Sequence, residues 1–548
     1  MKLLRLSLWV TLMLIPLLAH GQATQNITIG SPKALALGNA LTADPPGIDS
    51  IHFNPAGLAK LAGRRRNLKL MVAGISLTSE TGEQQHSQDV RAAYEQINPG
   101  KPFPIDDQAN QKDTTRSPMV MLPFFGLTDI PITLAPLGGA SIQGKSKRWT
   151  VATMVYTPQA FGFKRDREKD PGAYQGYEVG LSRITYFSPS IGLRLTDSLA
   201  IGASLGLSWQ GFGTKTKFRS PEQTLIFIGG AASQFQEGDT EASIISAFDN
   251  VGDLTLEVED ALSPSFNLGL LWEPYHGLSF GFVYQSEATA HMKGEYSMKY
   301  TDSFVATAKQ LKPLTPLLVA FDGAEFNAQP RESGKATMDM VLPRHIAFGT
   351  SIQLLPELKL NIDVKWTEYS AWEEFTIKFD QNVDFLSLGS VISDLATGFG
   401  VEDNVDPDEL RMPRQYQDVV SWALGIEYQW NNQTTLRLGY EPRGSAVPDD
   451  RVDFLVPIAD ATLYGVGLGY QIDRFSGFHI GFAYLSSDYK ADVKTHKNTD
   501  NNIESIEGES KNANDTTPGQ VVYNPYAYLP ISGSMEAYLF SVSYYQSF

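Results

Sequence analysis

Hydrophobic and polar residues alternate with a period of two in many segments of this chain. In the segment 199–209, the odd-numbered positions are Leu, Ile, Ala, Leu, Leu and Trp, and the even-numbered positions are only Ala, Gly and Ser. The segments 358–367 and 420–430 show the same alternation. Because successive side chains of a β-strand point to opposite faces, each segment predicts a strand with one apolar face and one small or polar face.

The joins between these strands are alternately short and long. Short joins lie at 196–198, 274–277, 356–357, 431–433 and 473–476, and long polar joins lie at 214–260, 299–342, 379–418 and 488–533. Tight turns at one end and long loops at the other are typical of an up-and-down outer-membrane barrel, whose short turns face the periplasm. A soluble β-sandwich has no reason to sort its loops in this way. The pattern therefore predicts an all-β fold, a transmembrane antiparallel β-barrel.

The candidate strands number about fourteen, an even number that would leave both termini on the periplasmic side, as in single-chain bacterial barrels. The second strand is the least regular, because it contains Pro118 and Pro123 and is followed by a long join at 129–148. The last strand is a period-two row that ends on Phe548. It resembles the C-terminal signal read by the barrel assembly machinery, and it would close the barrel without leaving an edge strand. The strands begin near Leu68, Pro118, Trp149, Arg183, Leu199, Ser265, Leu278, Arg344, Leu358, Val420, Thr434, Thr462, Phe478 and Met535.

Alternation alone does not say whether the apolar face of a strand meets lipid outside or a core inside. The aromatic residues favour lipid, because they lie near strand ends on the apolar row, where membrane-interface girdles are expected. The polar row then lines a lumen, which accounts for a mean hydropathy of only -0.19. These aromatic residues are Trp209, Trp272, Tyr284, Trp366, Trp430, Tyr440 and Tyr470.

The first residues predict an export signal over 1–21. Lys2 and Arg5 precede an apolar run over 6–19, and small residues follow at Gly21 and Ala23. The alternative is a transmembrane anchor, for which the run falls short of the roughly 20 apolar residues needed to cross a bilayer. An exported barrel belongs in the bacterial outer membrane, in contact with outer-membrane lipid and lipopolysaccharide.

Composition excludes several classes of function. The 548 residues include no Cys, which rules out disulfides, thiolate metal sites and a cysteine nucleophile. The formal net charge of -17 argues against a nucleic-acid partner, because phosphate binding requires a basic face. The eight His are scattered and form no His-x-x-x-His pair, which removes the usual zinc sites. We therefore predict no enzyme activity, no metal and no cofactor.

Residues 22–66, between the signal and the first strand, have no strand periodicity. They are rich in small residues and turn formers, which suit a compact segment packed in a confined space. The alternative is a flexible periplasmic tail. The predicted division is a signal at 1–21, a hatch or plug at 22–66, and a barrel with long extracellular loops at 67–548.

Within this segment, 38–40, Asp44 and 53–58 resemble the N-terminal hatch of the FadL/TodX outer-membrane transporters. The hatch motif of that family maps onto Asn54, Pro55, Ala56 and Gly57. The resemblance continues along nearly the whole chain, although the loops are longer here and 44–47 reads Asp-Pro-Pro-Gly. Further similar stretches lie at 266–269, 283–286, 364–367, 436–440 and 464–467.

The resemblance implies passive transport of hydrophobic molecules, most often long-chain fatty acids, without covalent chemistry. Substrate would be captured at the extracellular loops, pass the hatch in the lumen and leave sideways through a gap at the third strand. Tyr156 and Pro158 would lie at that gap, because Pro158 has no N–H to pair with a neighbouring strand. The alternative is that Pro158 marks the end of the strand at the extracellular rim.

A fatty-acid carboxylate requires an apolar groove with a cation at one end. Arg64, Arg183 and Arg194 are the candidates by position, and their alternative role is an interface charge or a salt-bridge partner in the lumen. The resemblance also implies a monomer. Two other functions stay open, a polar-solute porin and an adhesin-like barrel whose loops bind a surface partner. A porin is constricted by an inward-folded loop, so an N-terminal hatch would distinguish the two.

Overall fold

The computed structural model describes residues 26–85, 88–97, 99–129, 133–167, 169–220, 245–314, 325–397, 406–457, 459–492, 524–526 and 528–548. The predicted signal at residues 1–21 lies outside the described residues.

Strands dominate the structure, and 22 of them, numbered β1 to β22 in chain order, join into one sheet. The first eleven are β1 (Arg64–Thr81), β2 (Lys112–Thr115), β3 (Ser117–Leu122), β4 (Gly126–Asp129), β5 (Thr133–Gln143), β6 (Trp149–Lys164), β7 (Glu178–Phe187), β8 (Ser190–Arg194), β9 (Leu199–Arg219), β10 (Asn250–Tyr275) and β11 (Leu278–Gln285). The others are β12 (Ala288–Tyr300), β13 (Arg331–Leu342), β14 (His345–Leu355), β15 (Leu358–Thr367), β16 (Glu374–Phe379), β17 (Glu409–Pro413), β18 (Val419–Gln429), β19 (Thr434–Arg443), β20 (Ala461–Gln471), β21 (Ser476–Ala491) and β22 (Ile531–Ser547).

The helices are short; two precede β1 and the others lie between strands. They are α1 (Pro32–Ala36), α2 (Ser50–Phe53), α3 (Gln88–Ile97), α4 (Ala173–Gly176), α5 (Asp302–Leu311) and α6 (Asp384–Thr397). Single 3-10 turns occupy Gly47–Asp49, Pro55–Lys60, Lys312–Leu314, Tyr369–Ala371 and Asp449–Arg451. Within the described ranges, no helix has the length and apolar character needed to span a membrane.

The wall is a closed antiparallel barrel of 14 strands, which confirms the predicted fold class. It closes where β1 pairs with β22, from Arg65 opposite Ser547 to Thr81 opposite Ile531. There are more strand segments than wall strands because several wall strands bend, as β7 and β8 do where both pair with β9. Both chain ends of the barrel meet at the end with the short turns, where the Phe548 N–H donates to the Arg64 carbonyl over 3.0 Å.

The two faces of the wall differ as the alternation predicts. On β9, Leu205 points outward and is 45% exposed, whereas Ser204 points inward and donates to the Ile51 carbonyl over 2.9 Å. Outward-facing Leu268, Phe282 and Phe348 are also exposed. They form an apolar belt around the barrel, as a lipid-facing surface requires.

The predicted second strand is wrong. The second wall strand is β5, which pairs with β1 and is joined to β6 by the short turn 144–148. The segment that begins near Pro118 forms β3, part of a separate hairpin with β4. β5 was not predicted because its stretch Pro136-Leu137-Gly138-Gly139 interrupts the alternation of apolar and polar residues. With β5 in place, the join at 129–148 no longer departs from the alternation of short and long joins.

The long joins contain more regular structure than predicted. β9 and β10 are 21 and 26 residues long and extend beyond the apolar belt. The N-terminal part of β10, from Gly252 to Glu259, lies beyond the belt and pairs with β12. The alternation of apolar and polar residues does not extend into these parts, because the outer positions, such as Lys215 and Glu259, are charged instead of apolar. We refer to this side of the barrel as the long-loop end and to the other as the short-turn end.

Candidate functional site

The hatch segment, residues 26–63, lies in the lumen of the barrel. Its helix α1 packs against the inner faces of β20 and β21, and its last turn packs against β8 and β9. Ile29, Leu37 and Leu58 are fully buried. The segment therefore fills the cross-section of the barrel at this height.

Glycines on the inner face of the wall leave the space for this segment. A Cβ atom at Gly269 would lie 2.1 Å from Asn54 Oδ1, and one at Gly202 would lie 2.2 Å from the Pro55 carbonyl carbon. Any larger residue there would expel the hatch segment. The sequence carries this signal, because glycine recurs in the small or polar row of the predicted strands. The glycines in contact with the hatch segment are Gly139, Gly192, Gly202, Gly269, Gly281, Gly349, Gly425, Gly439, Gly465 and Gly481.

Asn54 joins the hatch motif to the wall. It is fully buried, and its Nδ2 donates to the Thr42 carbonyl over 2.8 Å and to the Leu270 carbonyl of β10 over 3.1 Å. Its Oδ1 accepts from the Ala56 N–H over 3.2 Å, which caps the turn that begins at Pro55. Gly57 completes the motif, because a Cβ there would lie 2.5 Å from the Pro45 ring.

One side of the lumen holds the hatch segment through charged groups. Asn39 Nδ2 donates to Glu441 over 2.9 Å, and Glu441 also pairs with Lys365 at 2.7 Å. Asp44 pairs with Lys359 of β15 at 3.0 Å. The alternation places the β15 charges on the polar face, but Lys365 and Glu441 are 76 residues apart and Lys359 and Asp44 are 315 apart, so the sequence did not assign these partners.

The side of the lumen formed by β1, β5 and β6 contains a largely apolar cavity of about 290 Å³. Ile27 of the hatch segment and the inward-facing Met71 of β1 line it. Gly74, Val155 and Ile184 also line it, although each alternates with lumen-facing residues and so belongs to the outer face. Because residues of both the lumen-facing and the outer face of the wall line the cavity, it passes through the wall.

The wall is incompletely paired at this cavity. β5 pairs with β6 only from Gly138 to Gln143, so 133–137 has no partner on β6. On its other edge, β6 has a bulge between Tyr156 and Gln159, where its register with β7 shifts. Pro158 lies in this bulge, and β6 continues past it to Lys164, so the residue does not mark the strand end. Tyr156 points into the lumen, with its ring centroid 5.3 Å from that of His52.

Arg183 is a fully buried cation in the lumen that forms no hydrogen bond or ion pair with a carboxylate among the described residues, although the charge of Asp260 acts on it from a greater distance. Its guanidinium donates to Gln210 Oε1 over 2.7 Å and to the Ser263 carbonyl over 2.8 Å, and its Nε has no partner. Five other buried arginines of the wall and loops pair with carboxylates. These pairs are Arg165–Asp170, Arg219–Asp106, Arg414–Asp453, Arg437–Glu427 and Arg443–Glu441.

The other two candidate arginines lie elsewhere. Arg64 is exposed at the short-turn end, where β1 begins. Arg194 lies at the end of β8, and its Nη2 donates to the Ala59 carbonyl of the hatch segment over 3.2 Å. The structure therefore does not bring the three arginines together.

His52 of the hatch segment is hydrogen-bonded to Asn26 Oδ1 over 2.6 Å. Burial, together with the charge of Lys69, lowers the pKa of His52 to about 3, so the ring is neutral at any physiological pH. In the described part of the chain, no group of three His, Cys, Asp or Glu could hold a metal ion.

Two short strings match catalytic motifs but lie in the wrong context. Residues 139–146 read Gly-x-x-x-x-Gly-Lys-Ser, and residues 202–206 read Gly-x-Ser-x-Gly. The first is the end of β5 with its tight turn, and the second is the middle of β9. Neither leads into a helix, as a phosphate-binding loop or a nucleophile elbow requires.

A membrane barrel whose lumen is filled by its own N-terminal segment, with an apolar cavity through its wall, defines a plugged outer-membrane transport protein. The family model for Outer membrane protein transport protein (OMPP1/FadL/TodX) matches residues 15–524, and the chain belongs to this family. The predicted family is therefore confirmed. A search of the curated proteins finds no match.

Solved structures with the same fold cover nearly the whole chain. A Pseudomonas aeruginosa FadL homologue is 15% identical, with a TM-score of 0.65 over 96% of this chain and 100% of its own. The Pseudomonas putida toluene transporter TodX is 13% identical, with a TM-score of 0.57 over 95% and 99%. The Ralstonia pickettii toluene transporter TbuX is 14% identical, with a TM-score of 0.54 over 95% and 99%. At these identities the similarity shows the fold alone.

Proposed function

We propose that this protein is a passive outer-membrane transporter that takes up long-chain fatty acids. Substrate is captured at the long-loop end, which faces the cell exterior, and the short turns and both termini face the periplasm. The hatch segment blocks a straight path through the barrel. Substrate leaves sideways between β5 and β6, without catalysis or a cofactor.

The cavity through the wall is the observation that carries this proposal. Its lining is almost entirely apolar, and it reaches from the hatch at Ile27 to the outer face at Val155. An apolar passage of this kind suits a hydrophobic molecule that moves between the lumen and the membrane. It offers few partners to a sugar or another polar solute, so it does not favour a porin.

The buried positive charge of Arg183 favours a substrate with a carboxylate over an uncharged hydrocarbon. Its cross-strand neighbour Gln159 lines a second apolar cavity, together with Phe161, Leu181 and Phe212. A hydrocarbon tail in that cavity would leave its carboxylate beside Arg183, which forms no ion pair among the described residues. The related TodX and TbuX are described as toluene transporters. Toluene carries no charge that could pair with the Arg183 guanidinium.

Gly74 offers a direct test of the side passage. It lines the cavity on the outer face, and no atom lies within 4 Å of the position that its Cβ would occupy. Gly74→Trp should therefore fill the passage without disturbing the wall, and Gly74→Ala is the matched control. In proteoliposomes we expect the Trp variant to lose most labelled-oleate uptake and the Ala variant to keep it.

Parallel measurements separate the alternatives. Uptake of labelled toluene in place of oleate would identify an aromatic hydrocarbon as the substrate, and swelling in sugar solutions would identify a porin. Normal oleate uptake by a correctly inserted Gly74→Trp variant would contradict the side passage.

A further inference from the structure

The hairpin of β3 and β4, residues 117–129, lies on the outside of the barrel. The side chain of Leu127 comes within 2.6 Å of the Cβ position at Gly180, and Met121 Sδ comes within 3.1 Å of that at Gly213. Gly180 and Gly213 alternate with Leu181 and Phe212, which face a cavity in the lumen. Both glycines therefore belong to the outer face. The hairpin crosses the outer surface of β6, β7 and β9 where these glycines let it approach closely.

The height of this hairpin corresponds to a membrane interface. On the same outer face of β9, the apolar row that includes Leu205 ends at Trp209, just before the positions that the hairpin covers. Just beyond the hairpin, Lys215 pairs with Glu178 at 2.7 Å. The hairpin thus lies where the lipid-facing surface gives way to charge.

The tip of the hairpin presents two aromatic side chains to the exterior. Phe124 is 98% exposed and Phe125 is 80% exposed. The Phe125 N–H donates to the Leu122 carbonyl over 3.3 Å, which closes a turn, and Phe124 has a φ of 67°. This left-handed turn position favours glycine or asparagine. A phenylalanine here is strained, and its ring gains almost no contact with the described chain in return.

The hairpin is held in place along its length and also borders the passage through the wall. The Leu127 N–H donates to Glu257 Oε1 over 3.2 Å, and Lys164 pairs with Asp129 at 3.6 Å. On the other strand of the hairpin, Met119 and Val120 line the cavity that opens between β5 and β6. The base of the hairpin therefore borders the opening, and the tip has a fixed position on the outer surface beside β10.

We propose that the hairpin is a membrane-seated arm, and that Phe124 and Phe125 insert into the acyl chains of the lipid leaflet at the long-loop end. The aromatic tip lies above the lipid-facing belt, beside Glu257 of β10, at the height where aromatic side chains are stabilised at membrane interfaces. The arm fixes one side of the wall opening against the bilayer. This inference requires a barrel in a membrane, but it does not depend on which substrate is transported.

Site-directed spin labelling tests the proposal, because the chain contains no cysteine. A nitroxide is attached to Phe125→Cys in phosphatidylcholine vesicles, and its accessibility to oxygen and to a water-soluble nickel chelate is measured. Leu205→Cys serves as the lipid-facing reference. Ile105→Cys, an apolar side chain that is 84% exposed in a loop at the long-loop end, serves as the aqueous reference.

We expect the label at position 125 to resemble that at 205, with at least a threefold higher ratio of oxygen to nickel accessibility than at 105. A ratio equal to that at 105 would overturn the proposal. Dipolar broadening between labels at 125 would also overturn it, because the tip would then contact a second copy of the chain instead of lipid. Neither measurement requires transport activity.

Discussion

Asp363 of β15 holds Thr42 of the hatch segment through a single carboxylate oxygen. Its Oδ2 accepts hydrogen bonds from the Thr42 N–H over 2.9 Å and from the Thr42 hydroxyl over 2.7 Å. The same oxygen accepts from the Leu41 N–H over 2.8 Å. Together with the Glu441 and Lys359 contacts, this bond set fixes the hatch to one side of the lumen. The apolar passage lies on the other side, where Lys69 of β1 pairs with Asp49 at 2.8 Å and also holds the segment.

Asp363→Ala should loosen the hatch without disturbing the wall. The substitution leaves the Leu41 and Thr42 donors unpaired in a buried site, at a local cost of about 3 kcal/mol. We expect increased leakage of small polar solutes in liposome swelling. Asn361→Ala is the matched control, since Asn361 lies two residues away on the same buried face and its amide has no hydrogen-bond partner. Equal leakage in the two variants would contradict an anchoring role for Asp363.

Arg183→Gln should weaken the binding of fatty acids. A hydrogen bond to a charged group contributes roughly 1.5 to 3 kcal/mol, so we expect oleate affinity to fall about 10- to 100-fold. Binding of an uncharged analogue such as oleyl alcohol should change little. Arg194→Gln is the control, because Arg194 contacts the hatch backbone instead of an apolar cavity. Unchanged oleate affinity would mean that Arg183 serves only to bond the wall strands.

Leu205→Arg should destabilise the barrel by roughly 2 to 4 kcal/mol, the cost of a cation on the lipid face near the bilayer midplane. Leu199→Arg, on the same face beside the short turn at 196–198, should cost about 0 to 1 kcal/mol, because the penalty falls near the interface. Urea unfolding in lipid vesicles measures both. Similar costs at the two depths would argue that β9 is placed wrongly in the membrane.

The opposite face of the wall is a poorer control than the sequence suggests. A polar lumen would be expected to tolerate arginine at Gly425, but a Cβ there already lies 3.0 Å from Leu37 of the hatch segment. Substitutions at such positions report on the hatch and not on lipid exposure.

Stability at the long-loop end should depend on the ionisation of Glu332. Burial and then the negative charge of Asp384 raise the pKa of Glu332 from 4.5 to about 7. Because the folded pKa exceeds the unfolded one, the protonated carboxyl contributes stability that is complete below pH 4.5 and is lost as the pH rises through 7. Glu332→Gln should therefore match the wild type at pH 4.5 and melt at a higher temperature at pH 8. A melting difference that is the same at both values would contradict this assignment.

The sequence by itself determined the barrel and its orientation relative to lipid. The period-two alternation is a local property of each strand, and the short turns are read directly between neighbouring strands. The resemblance to the family's hatch motif identified Asn54 and Pro55, whereas composition alone left a flexible tail as the alternative. Where the alternation is interrupted, as at Pro136 to Gly139 of β5, the second strand was predicted in the wrong segment, near Pro118.

Tertiary structure alone decided which polar groups meet across the lumen and where the wall opens. Thr42 and Asp363 are 321 residues apart, and nothing in either neighbourhood specifies the pairing. The passage between β5 and β6 depends on strand register, and the outer hairpin depends on Gly180 of β7 and Gly213 of β9. Each arises from the closure of the barrel, because only then do distant residues come within contact distance.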